Sequence, residues 1–374
     1  MAQAFFIEIP SKRVILRDRT AAKRFGAEAM TTIRDVAKKA DVSTATVSAV
    51  INESAYVSPD LKLRVMRAID VLSYKPSQVA RNLRRGRTQL MALVVADLAN
   101  PFYSRIVCAA EAAVSAWGYS LVVFNSDEKP DAEERALQRI RQIGCDGAVV
   151  VPVGSHSNYR RRDLSVGCPI VLLGRSVDHQ DVDTVSIDNV AAGRQATSYL
   201  LDLGHTRIGT ITGRMQLSTA SGRHEGLLQA MSERGLKPRD SDIRNGEFRE
   251  EVAYSVACEL LRNPDRPTAL YVANGVMALG VMRALADLDL RCPEDMSIAS
   301  TDTIAGVGGL KPRLTRTEHP DVEMTKEALR MLVDRIDGGF SGPGRKVVFQ
   351  PMLVVGDSCA PLRGQQQNGD GAVG

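Results

Sequence analysis

The residues best suited to bind a small molecule follow directly after apolar runs of the sequence. Most are polar and some are aromatic, and they comprise Asn100 to Tyr103, Asn125 to Asp127, Gly174-Arg175, Thr219 to Arg223, Asn274 and Asp302. Carboxylate, guanidinium and amide groups hydrogen-bond hydroxyls, and an aromatic face covers the apolar side of a sugar ring. Because Arg175 can pair with a carboxylate, the set favours a sugar or a sugar acid. For an Asn or Asp after a strand, capping a turn or a helix is the alternative role.

Patterns for catalysis, nucleotide binding and metal binding are missing from the sequence. GRSVDH and GDSCA lack the GxSxG spacing of a nucleophile elbow, and neither a P-loop nor a GxGxxG opens a helix after the first strand. The five histidines are scattered, and the six cysteines have neither paired nor CxxC spacing. We therefore expect no enzyme, no cofactor and no metal, and reduced thiols in the cytoplasm.

From Leu90 onwards, apolar runs alternate with segments of helical periodicity. The runs are MALVVADL, YSLVVFN, GAVVVPV, PIVLLG, RIGTIT, TALYVA and MSIAS, and the helical segments are Pro101–Trp117, Asp131–Ile143, Ala191–Leu203, Arg223–Arg234, Glu250–Arg262 and Val276–Leu288. This alternation predicts an α/β domain with parallel sheets covered by helices on both faces. Two successive series predict two lobes.

Residues 31–52, TTIRDVAKKADVSTATVSAVIN, have the pattern of two short helices joined by a turn. An apolar stripe runs from Ile33 to Ala40, and Ser43 is placed to cap the second helix. A third helix begins at Ser58-Pro59. The second helix would bury Val47, Val50 and Ile51 and expose the small residues Thr44, Ala45, Ser48 and Ala49. The pattern fits an all-α helix-turn-helix whose second helix enters the major groove, and a three-helix packing module is the alternative.

Basic charge is concentrated at the N-terminal end. Residues 1–88 carry 17 Lys and Arg against 8 Asp and Glu, whereas the remaining residues carry 31 against 36. This asymmetry is expected when one end contacts phosphates, although a basic leader from Lys12 to Arg24 accounts for part of it. Glu8 and Pro10 interrupt the first apolar run, so no secretory signal is evident. No segment resembles a membrane span.

The head of the chain also resembles a known family. TIRDVAKKADVSTATVSAVIN, followed by YVSPDLKLRVMRAIDVLSYKPSQVARNLRRGRT, is similar to the DNA-binding head of the lactose/galactose repressor family, and the similarity continues to about residue 362. The resemblance implies a helix-turn-helix head, a hinge helix and a two-lobed domain like the periplasmic sugar-binding proteins. In that fold the ligand lies between the lobes, beyond the carboxyl ends of the strands.

The domain organisation follows from these observations. Residues 1–29 form a leader that is disordered or precedes the true start, because Met30-Thr31-Thr32-Ile33 resembles the usual beginning of the family. The helix-turn-helix head spans 30–76, the hinge helix and linker 77–89, the two-lobed effector-binding and dimerisation domain 90–362, and a disordered tail 363–374. The hinge segment SQVARNLRRG is basic and too short for a stable isolated helix. By the resemblance it orders on DNA and inserts Leu83 into the minor groove.

The predicted binding residues combine the patterns and the resemblance. The DNA-contacting set is Thr32, Ser43, Thr44, Ala45, Thr46, Ser48, Ala49, Asn52, Tyr56, Ser77, Ala80, Leu83 and Arg84. The effector-binding set is Phe102, Asn125, Arg175, Thr219, Arg223, Phe248, Asn274 and Asp302, of which Arg223 and Asp302 are favoured. Phe102, Arg223, Phe248, Asn274 and Asp302 match positions that line the effector pocket in the family.

Departures from the family pattern limit what carries over. Ala49 stands where many members have Arg or another polar residue, so we expect no direct base contact there. Gly275 replaces a usual Asp, Thr301-Asp302-Thr303 replaces Gly-aromatic-Asp-Asp/Asn, and Gly356 stands where Arg is common. The effector is therefore not identified by the resemblance.

The function expected from the sequence is that of a sequence-specific transcriptional repressor in the cytoplasm. It would bind a near-palindromic, double-stranded operator as a homodimer, and a small polar effector would change its operator affinity. The tail GQQQNGDGAVG has no leucine heptads, so no tetramer is expected. The alternatives are a sugar-binding protein and an α/β enzyme, neither with a regulatory role.

Overall fold

The computed structural model describes residues 6–9, 12–15, 31–74, 87–154, 166–177, 181–302 and 311–362. The chain divides into two compact units, residues 1–86 and residues 87–374. The predicted hinge helix and the tail 363–374 lie outside the described residues, and so do Ser77, Ala80, Leu83 and Arg84.

The described part of the first unit, residues 31–74, contains three helices, α1 (Ile33–Ala40), α2 (Thr44–Asn52) and α3 (Pro59–Val71). They enclose a small apolar core with Val36, Val47 and Val65 fully buried at its centre. Within the predicted leader, the structure gives one element, an antiparallel pair of strands β1 (Phe6–Ile9) and β2 (Lys12–Ile15).

The second unit alternates strands and helices. Its strands are β3 (Leu90–Val95), β4 (Ser120–Asn125), β5 (Gly147–Val150), β6 (Ile170–Gly174), β7 (Asp183–Ile187), β8 (Ile208–Thr212), β9 (Ile243–Asn245), β10 (Ala269–Val272), β11 (Ser297–Thr301), β12 (Thr315–Glu318), β13 (Lys346–Phe349) and β14 (Met352–Val354). Its helices are α4 (Pro101–Ala116), α5 (Pro130–Ile143), α6 (Asn189–Asp202), α7 (Ser218–Ser232), α8 (Glu250–Leu261), α9 (Gly275–Asp287) and α10 (Asp321–Ile336).

The strands form two six-stranded sheets, which confirms the predicted two-lobed α/β fold. The N-terminal lobe has the order β13-β7-β6-β5-β3-β4 with all neighbours parallel. The C-terminal lobe has the order β14-β12-β11-β10-β8-β9, in which only the edge strand β14 is antiparallel to its neighbour.

Helices cover both faces of each sheet, as the continuous apolar strands require. In β3, Met91, Leu93 and Val95 pack into the core beside α4 and α10. The alternate residues Ala92 and Val94 pack on the opposite face with α5. Period-two alternation thus buries both sides of the strand.

Over the described residues of the second unit, the chain passes between the lobes three times. It crosses at Asp188 between β7 and α6, at His319-Pro320 between β12 and α10, and at Gln350-Pro351 between β13 and β14. Helix α6 packs on α7 and strands of the C-terminal lobe, whereas α10 packs on α4 and strands of the N-terminal lobe. Each crossing therefore lies where a change in lobe arrangement must bend the chain.

Helix α7 begins at Ser218, five residues before the predicted start at Arg223. The polar segment STASG resembles a loop in sequence, but its small residues form the first turns of a helix packed closely on α6. A Cβ on Gly226 would lie 2.1 Å from the Val190 carbonyl oxygen, and one on Gly193 would lie 2.0 Å from the Arg223 carbonyl oxygen. Small residues thus permit backbone contact between the two helices.

Candidate functional site

Two polar caps fix the helices of the head. The Thr32 hydroxyl donates to Asp35 Oδ2 at 2.7 Å, and the Thr32 backbone N–H donates to the same oxygen at 2.8 Å. The Ser43 hydroxyl accepts the Thr46 backbone N–H at 3.0 Å and begins α2. Capping is therefore the observed role of Thr32 and Ser43, and their contact with DNA stays a prediction.

Helix α2 has the two faces that the sequence predicts. Val47 and Val50 are buried, and Ile51 packs against the same core. Thr44 and Ala45 are exposed, with Ser48 and Ala49 half-buried beside them, and Asn52 Nδ2 donates to the Ser48 carbonyl at 2.8 Å. In the loop after α2, Tyr56 is 92% exposed. This small, polar surface can approach bases closely.

One cavity of the second unit gathers most of the predicted effector-binding residues. It occupies about 610 Å³, including the part that opens to solvent. Seven of the eight predicted residues line it, namely Phe102, Arg175, Thr219, Arg223, Phe248, Asn274 and Asp302. Because they follow the carboxyl ends of strands in both sheets, the cavity lies between the lobes. That they bind an effector is a prediction.

Asn125 does not line this cavity. Its side-chain oxygen accepts the backbone N–H of Leu98 at 3.1 Å and, more weakly, that of Asp127 at 3.4 Å. These bonds fix the loop after β4, which is the capping role that the sequence left open for an Asn after a strand.

Arg223 and Asp302 lie together on the C-terminal-lobe side of the cavity. The guanidinium donates to the Ala273 carbonyl at 2.5 Å and to Asn189 Oδ1 at 3.0 Å, whereas both of its contacts with Asp302 measure 3.5 Å. His319 Nδ1 lies 2.8 Å from Asp302 Oδ1. Burial alone would raise the pKa of the Asp302 carboxyl, but Arg223 and His319 lower it well below its usual range. Asp302 is therefore a buried carboxylate.

Arg175 is paired within the protein. It donates to Glu128 Oε1 at 2.5 Å and to Oε2 at 2.9 Å, and the Pro152 carbonyl accepts a third bond at 3.0 Å. Arg214 also donates to Glu128 Oε2 at 2.5 Å. Burial raises the pKa of Glu128, but the two guanidiniums more than reverse this and lower it. The guanidinium of Arg175 already has a carboxylate partner, so its presence does not by itself favour a ligand with a carboxylate.

Two buried side chains on the C-terminal-lobe side illustrate the difference between capping and binding. The Asn274 side chain accepts the Met277 backbone N–H at 2.9 Å and so caps α9. Thr219 is 8% exposed, and no described residue provides a hydrogen-bond partner for its Oγ1. A buried hydroxyl without a partner costs free energy, so Thr219 is a strong candidate for a ligand contact.

Aromatic rings form walls of the cavity. The Phe102 ring stands edge-on to Tyr103 and to His319, with centroids 5.1 and 6.0 Å apart. The Arg175 guanidinium carbon lies 5.9 Å from the Phe248 ring centroid. Burial raises the pKa of the Tyr103 hydroxyl, which therefore stays neutral.

Strained backbone occurs at the cavity. Asp127 and Glu128 have φ of 50° and 57°, Glu247 and Phe248 have φ of 55° and 60°, and Asp302 has φ of 73°. Non-glycine residues rarely adopt this left-handed conformation, which costs of order 1–3 kcal/mol and concentrates at ligand sites. Asp127-Glu128 follows β4 and Glu247-Phe248 follows β9, and each of these strands lies at an edge of its sheet.

Charge pairs join the lobes beside the cavity. Arg249 of the C-terminal lobe donates to Asp127 Oδ1 of the N-terminal lobe at 2.7 Å and lies 3.5 Å from Asp97. The hydrogen bond from Lys129 and then that from Arg249 lower the pKa of Asp127 to about 2. Arg214 and Glu128 form the second link. Side chains of both lobes thus connect them beside the cavity.

Among the described lining residues, three with ionisable side chains were not predicted from the sequence: Asp97, Glu128 and His319. Glu128 follows the predicted strand YSLVVFN within the turn SDEKP, so its position after a strand end was a usable signal. His319 follows β12, a strand with the polar sequence TRTE that gave no signal.

Within the described ranges, no group of three or more His, Cys, Asp and Glu side chains could hold a metal ion. Among the helices of those same residues, none is both long and apolar enough to cross a membrane.

Comparisons with known proteins agree with this architecture. Residues 32–77 match the family described as bacterial regulatory proteins, lacI family, and residues 197–359 match the periplasmic binding protein-like domain. The HTH-type transcriptional repressor PurR of Serratia proteamaculans (strain 568) is 34% identical over 315 residues, covering 82% of this chain and 91% of the relative. This chain belongs to the lacI family. It is a transcriptional repressor rather than an enzyme.

Further relatives of this lacI-family repressor extend the match over most of its length. The repressor PurR of Yersinia pestis (strain Pestoides F) is 33% identical over 339 residues, covering 88% of this chain and 97% of the relative. The transcriptional regulator CelR-cellobiose complex superposes with a TM-score of 0.67 at 31% identity, covering 88% of this chain and 99% of that chain. The lac repressor dimer bound to operator and the anti-inducer ONPF has a TM-score of 0.79 at 24% identity, with the same coverage, and supports the fold alone.

Proposed function

We propose that this repressor binds a near-palindromic operator as a homodimer in the cytoplasm, and that a neutral sugar-like molecule in the interlobe cavity changes its operator affinity. The observation that carries the proposal is the partnerless Thr219 hydroxyl in a cavity with aromatic walls, within a chain that also has a helix-turn-helix head. A hydroxyl and an aromatic face are complementary to a polyhydroxylated ring.

The charges around the cavity favour a neutral effector over a sugar acid. Among the described lining residues, the two guanidiniums of Arg175 and Arg223 already face the carboxylates of Glu128 and Asp302. A third lining carboxylate, Asp97, lies near Arg249. An added carboxylate would meet three like charges and would have to displace internal partners, which costs several kcal/mol in a buried site. The cellobiose complex of CelR supports a neutral sugar as the class.

A matched pair of variants tests whether the cavity binds the effector. Thr219→Val removes the partnerless hydroxyl with little change in shape, and Thr197→Val removes a second buried partnerless hydroxyl that does not line the cavity. A thermal-shift panel of cellobiose, ribose, gluconate and adenine first identifies a ligand of the wild type. Loss of one hydrogen bond then raises the dissociation constant about twofold to tenfold in Thr219→Val and leaves it unchanged in Thr197→Val.

The panel also separates the effector classes. Binding of gluconate but of neither neutral sugar would show that the effector is a sugar acid. Binding of adenine alone would show that it is a flat heterocycle instead of a sugar. If both threonine variants lose the same affinity for the identified ligand, Thr219 does not contact it.

The DNA-binding part of the proposal rests on the exposed face of α2. A dimer of such heads reads two half-sites related by a two-fold axis, and each head places α2 in the major groove. Operator DNA can be selected from random duplexes with the purified protein. Thr44→Ala should then weaken binding to the selected sequence more than to random DNA, because the exposed Thr44 hydroxyl is placed to reach base edges. Equal losses on both DNAs, or selected sites without two-fold symmetry, would contradict this assignment.

A further inference from the structure

We propose that His319 couples the effector cavity to the arrangement of the two lobes, and that it does so as a neutral imidazole. This inference rests on the proposed function of the cavity. His319 lies in the middle interlobe crossing, between β12 of the C-terminal lobe and α10 of the N-terminal lobe. Its side chain is 4% exposed and lines the cavity.

The imidazole contacts both lobes at once. Its Nδ1 lies 2.8 Å from Asp302 Oδ1, and its Nε2 lies 3.5 Å from Arg223 Nη2, both in the C-terminal lobe. Its ring lies edge-on to Phe102 of the N-terminal lobe, with centroids 6.0 Å apart and planes at 87°. The three contacted side chains are themselves lining residues of the cavity.

The polarity of these partners determines the tautomer. The Asp302 carboxylate can only accept, so the proton lies on Nδ1, and the Arg223 guanidinium can only donate, so Nε2 must offer its lone pair. A proton on Nε2 would place two donors 3.5 Å apart with no acceptor between them. From the N-terminal lobe, the Arg105–Asp321 ion pair at 2.5 Å and the neutral Tyr103 hydroxyl also face this region. The contacts on both ring nitrogens therefore match the neutral Nδ1–H form that we propose.

Through this arrangement, a bound effector can change the position of the two lobes. A ligand hydroxyl that donates to Asp302 or accepts from Arg223 uses the atoms that also hold His319. The next residue, Pro320, has a restricted φ and leads directly into α10, whose first residue Asp321 pairs with Arg105 of α4. Movement of the imidazole is thus transmitted to α10 and α4 rather than absorbed in a flexible loop.

Two substitutions separate this role from simple packing. His319→Gln keeps one donor and one acceptor without a titratable group, whereas His319→Leu keeps neither. His205→Leu serves as the control, because His205 is a buried imidazole of the C-terminal lobe that bonds Thr268 and the Ala360 carbonyl and lies outside the cavity. All measurements use the full chain without ligand.

The first measurement is a long-range ¹H–¹⁵N correlation spectrum of the imidazoles at pH 7.5, in which the signal lost in His319→Gln identifies His319. We expect the neutral tautomer with the proton on Nδ1. An imidazolium pattern, or a proton on Nε2, would overturn the proposal.

The second measurement is amide hydrogen exchange followed by mass spectrometry. His319→Leu should raise exchange about fivefold or more both at the end of β11 and in the first turn of α10, the effect expected when a local hydrogen bond is lost. His319→Gln should stay within about twofold of the wild type, and His205→Leu should leave α10 unchanged. Exchange in α10 that is unaffected by His319→Leu, or equally raised by His205→Leu, would overturn the coupling. These readings need no effector, so they are independent of the outcome of the sugar panel.

Discussion

Replacing Gly213 by alanine should displace the Phe248 ring from the cavity wall and destabilise the effector domain. A Cβ at Gly213 would lie 2.2, 2.3 and 2.5 Å from three carbon atoms of that ring. Carbon atoms in contact lie roughly 3.5–4.0 Å apart, so the ring must move by about 1 Å or more. Phe248 has a φ of 60°, and the strained loop that carries it leaves the ring little freedom to retreat.

The size of the effect follows from two opposing contributions. Overpacking a buried site costs about 1–3 kcal/mol. Loss of glycine's freedom in the unfolded chain offsets roughly 0.4–1 kcal/mol, because Gly213 does not have the positive φ that would strain an alanine. The net loss should be about 1–2 kcal/mol, which lowers Tm by several degrees at roughly 2–4 °C per kcal/mol for a domain of this size.

A double-mutant cycle decides whether the ring causes this loss. Circular dichroism melts would compare the wild type, Gly213→Ala, Phe248→Ala and the double variant. With the ring removed, Gly213→Ala should be neutral or slightly stabilising, giving a coupling energy of about 1–3 kcal/mol. Gly339→Ala is the control, because Gly339 does not have a positive φ and a Cβ there would lie at an ordinary contact distance of 3.6 Å from the Asp334 carbonyl oxygen. Equal destabilisation by Gly213→Ala with and without Phe248 would refute the reasoning.

Three further predictions follow from individual contacts. Ser43→Ala removes the hydrogen bond that caps α2 and should destabilise the head by about 1 kcal/mol in a thermal melt, whereas Ser43→Thr should lose little. Asp183 is buried between two arginines that lower its pKa to about 2. Its stabilising effect should therefore be complete above its ordinary pKa and disappear as the pH falls from about 4 to about 2. In Asp183→Asn, the free energy of unfolding measured with urea should change less with pH over that range. Arg249→Gln removes the two interlobe ion pairs with Asp127 and Asp97 and should increase the radius of gyration in small-angle scattering, while Arg283→Gln, which breaks two pairs within the C-terminal lobe, should not.

The parts of the fold that the sequence revealed are those in which burial dictates residue type. Strands β3, β5 and β6 are buried on both faces and read as continuous apolar runs, so the sheets and most of their helices were predictable. The head was equally clear, because its caps and apolar stripes are local features. Seven of the eight residues predicted to bind the effector line one cavity, and their binding role stays a prediction.

The elements that the sequence did not reveal carry polar residues or lie at sheet edges. Strand β12 reads TRTE, and the edge strands β13 and β14 are partly exposed, so none shows a long apolar run. These strands, with α10, complete the second and third crossings between the lobes. Without β12 there was no reason to consider His319, although it touches the two residues most favoured for effector binding.

Pairing across long sequence distances was equally hidden. Glu128 and Arg175 are 47 residues apart, and only the order of the strands brings them together. Viewed alone, Arg175 could pair with a carboxylate of a ligand, whereas in the structure its guanidinium is paired with Glu128. Charge in a binding site can therefore be assigned only after the internal partners are known.

The same reasoning distinguishes the roles of the two residues that the sequence favoured. Arg223 makes its short hydrogen bonds to Ala273 and Asn189, so its guanidinium is held in place whether or not a ligand is bound. Among the described residues, the short contact of Asp302 is the one to His319, and its distances to Arg223 of 3.5 Å leave its oxygens able to accept further bonds. A fixed cation beside a carboxylate with spare acceptor capacity is preorganised for a ligand hydroxyl, because little ordering remains to be done on binding. Asp302 is thus the better candidate for direct effector contact, and Arg223 keeps that carboxylate ionised and in position.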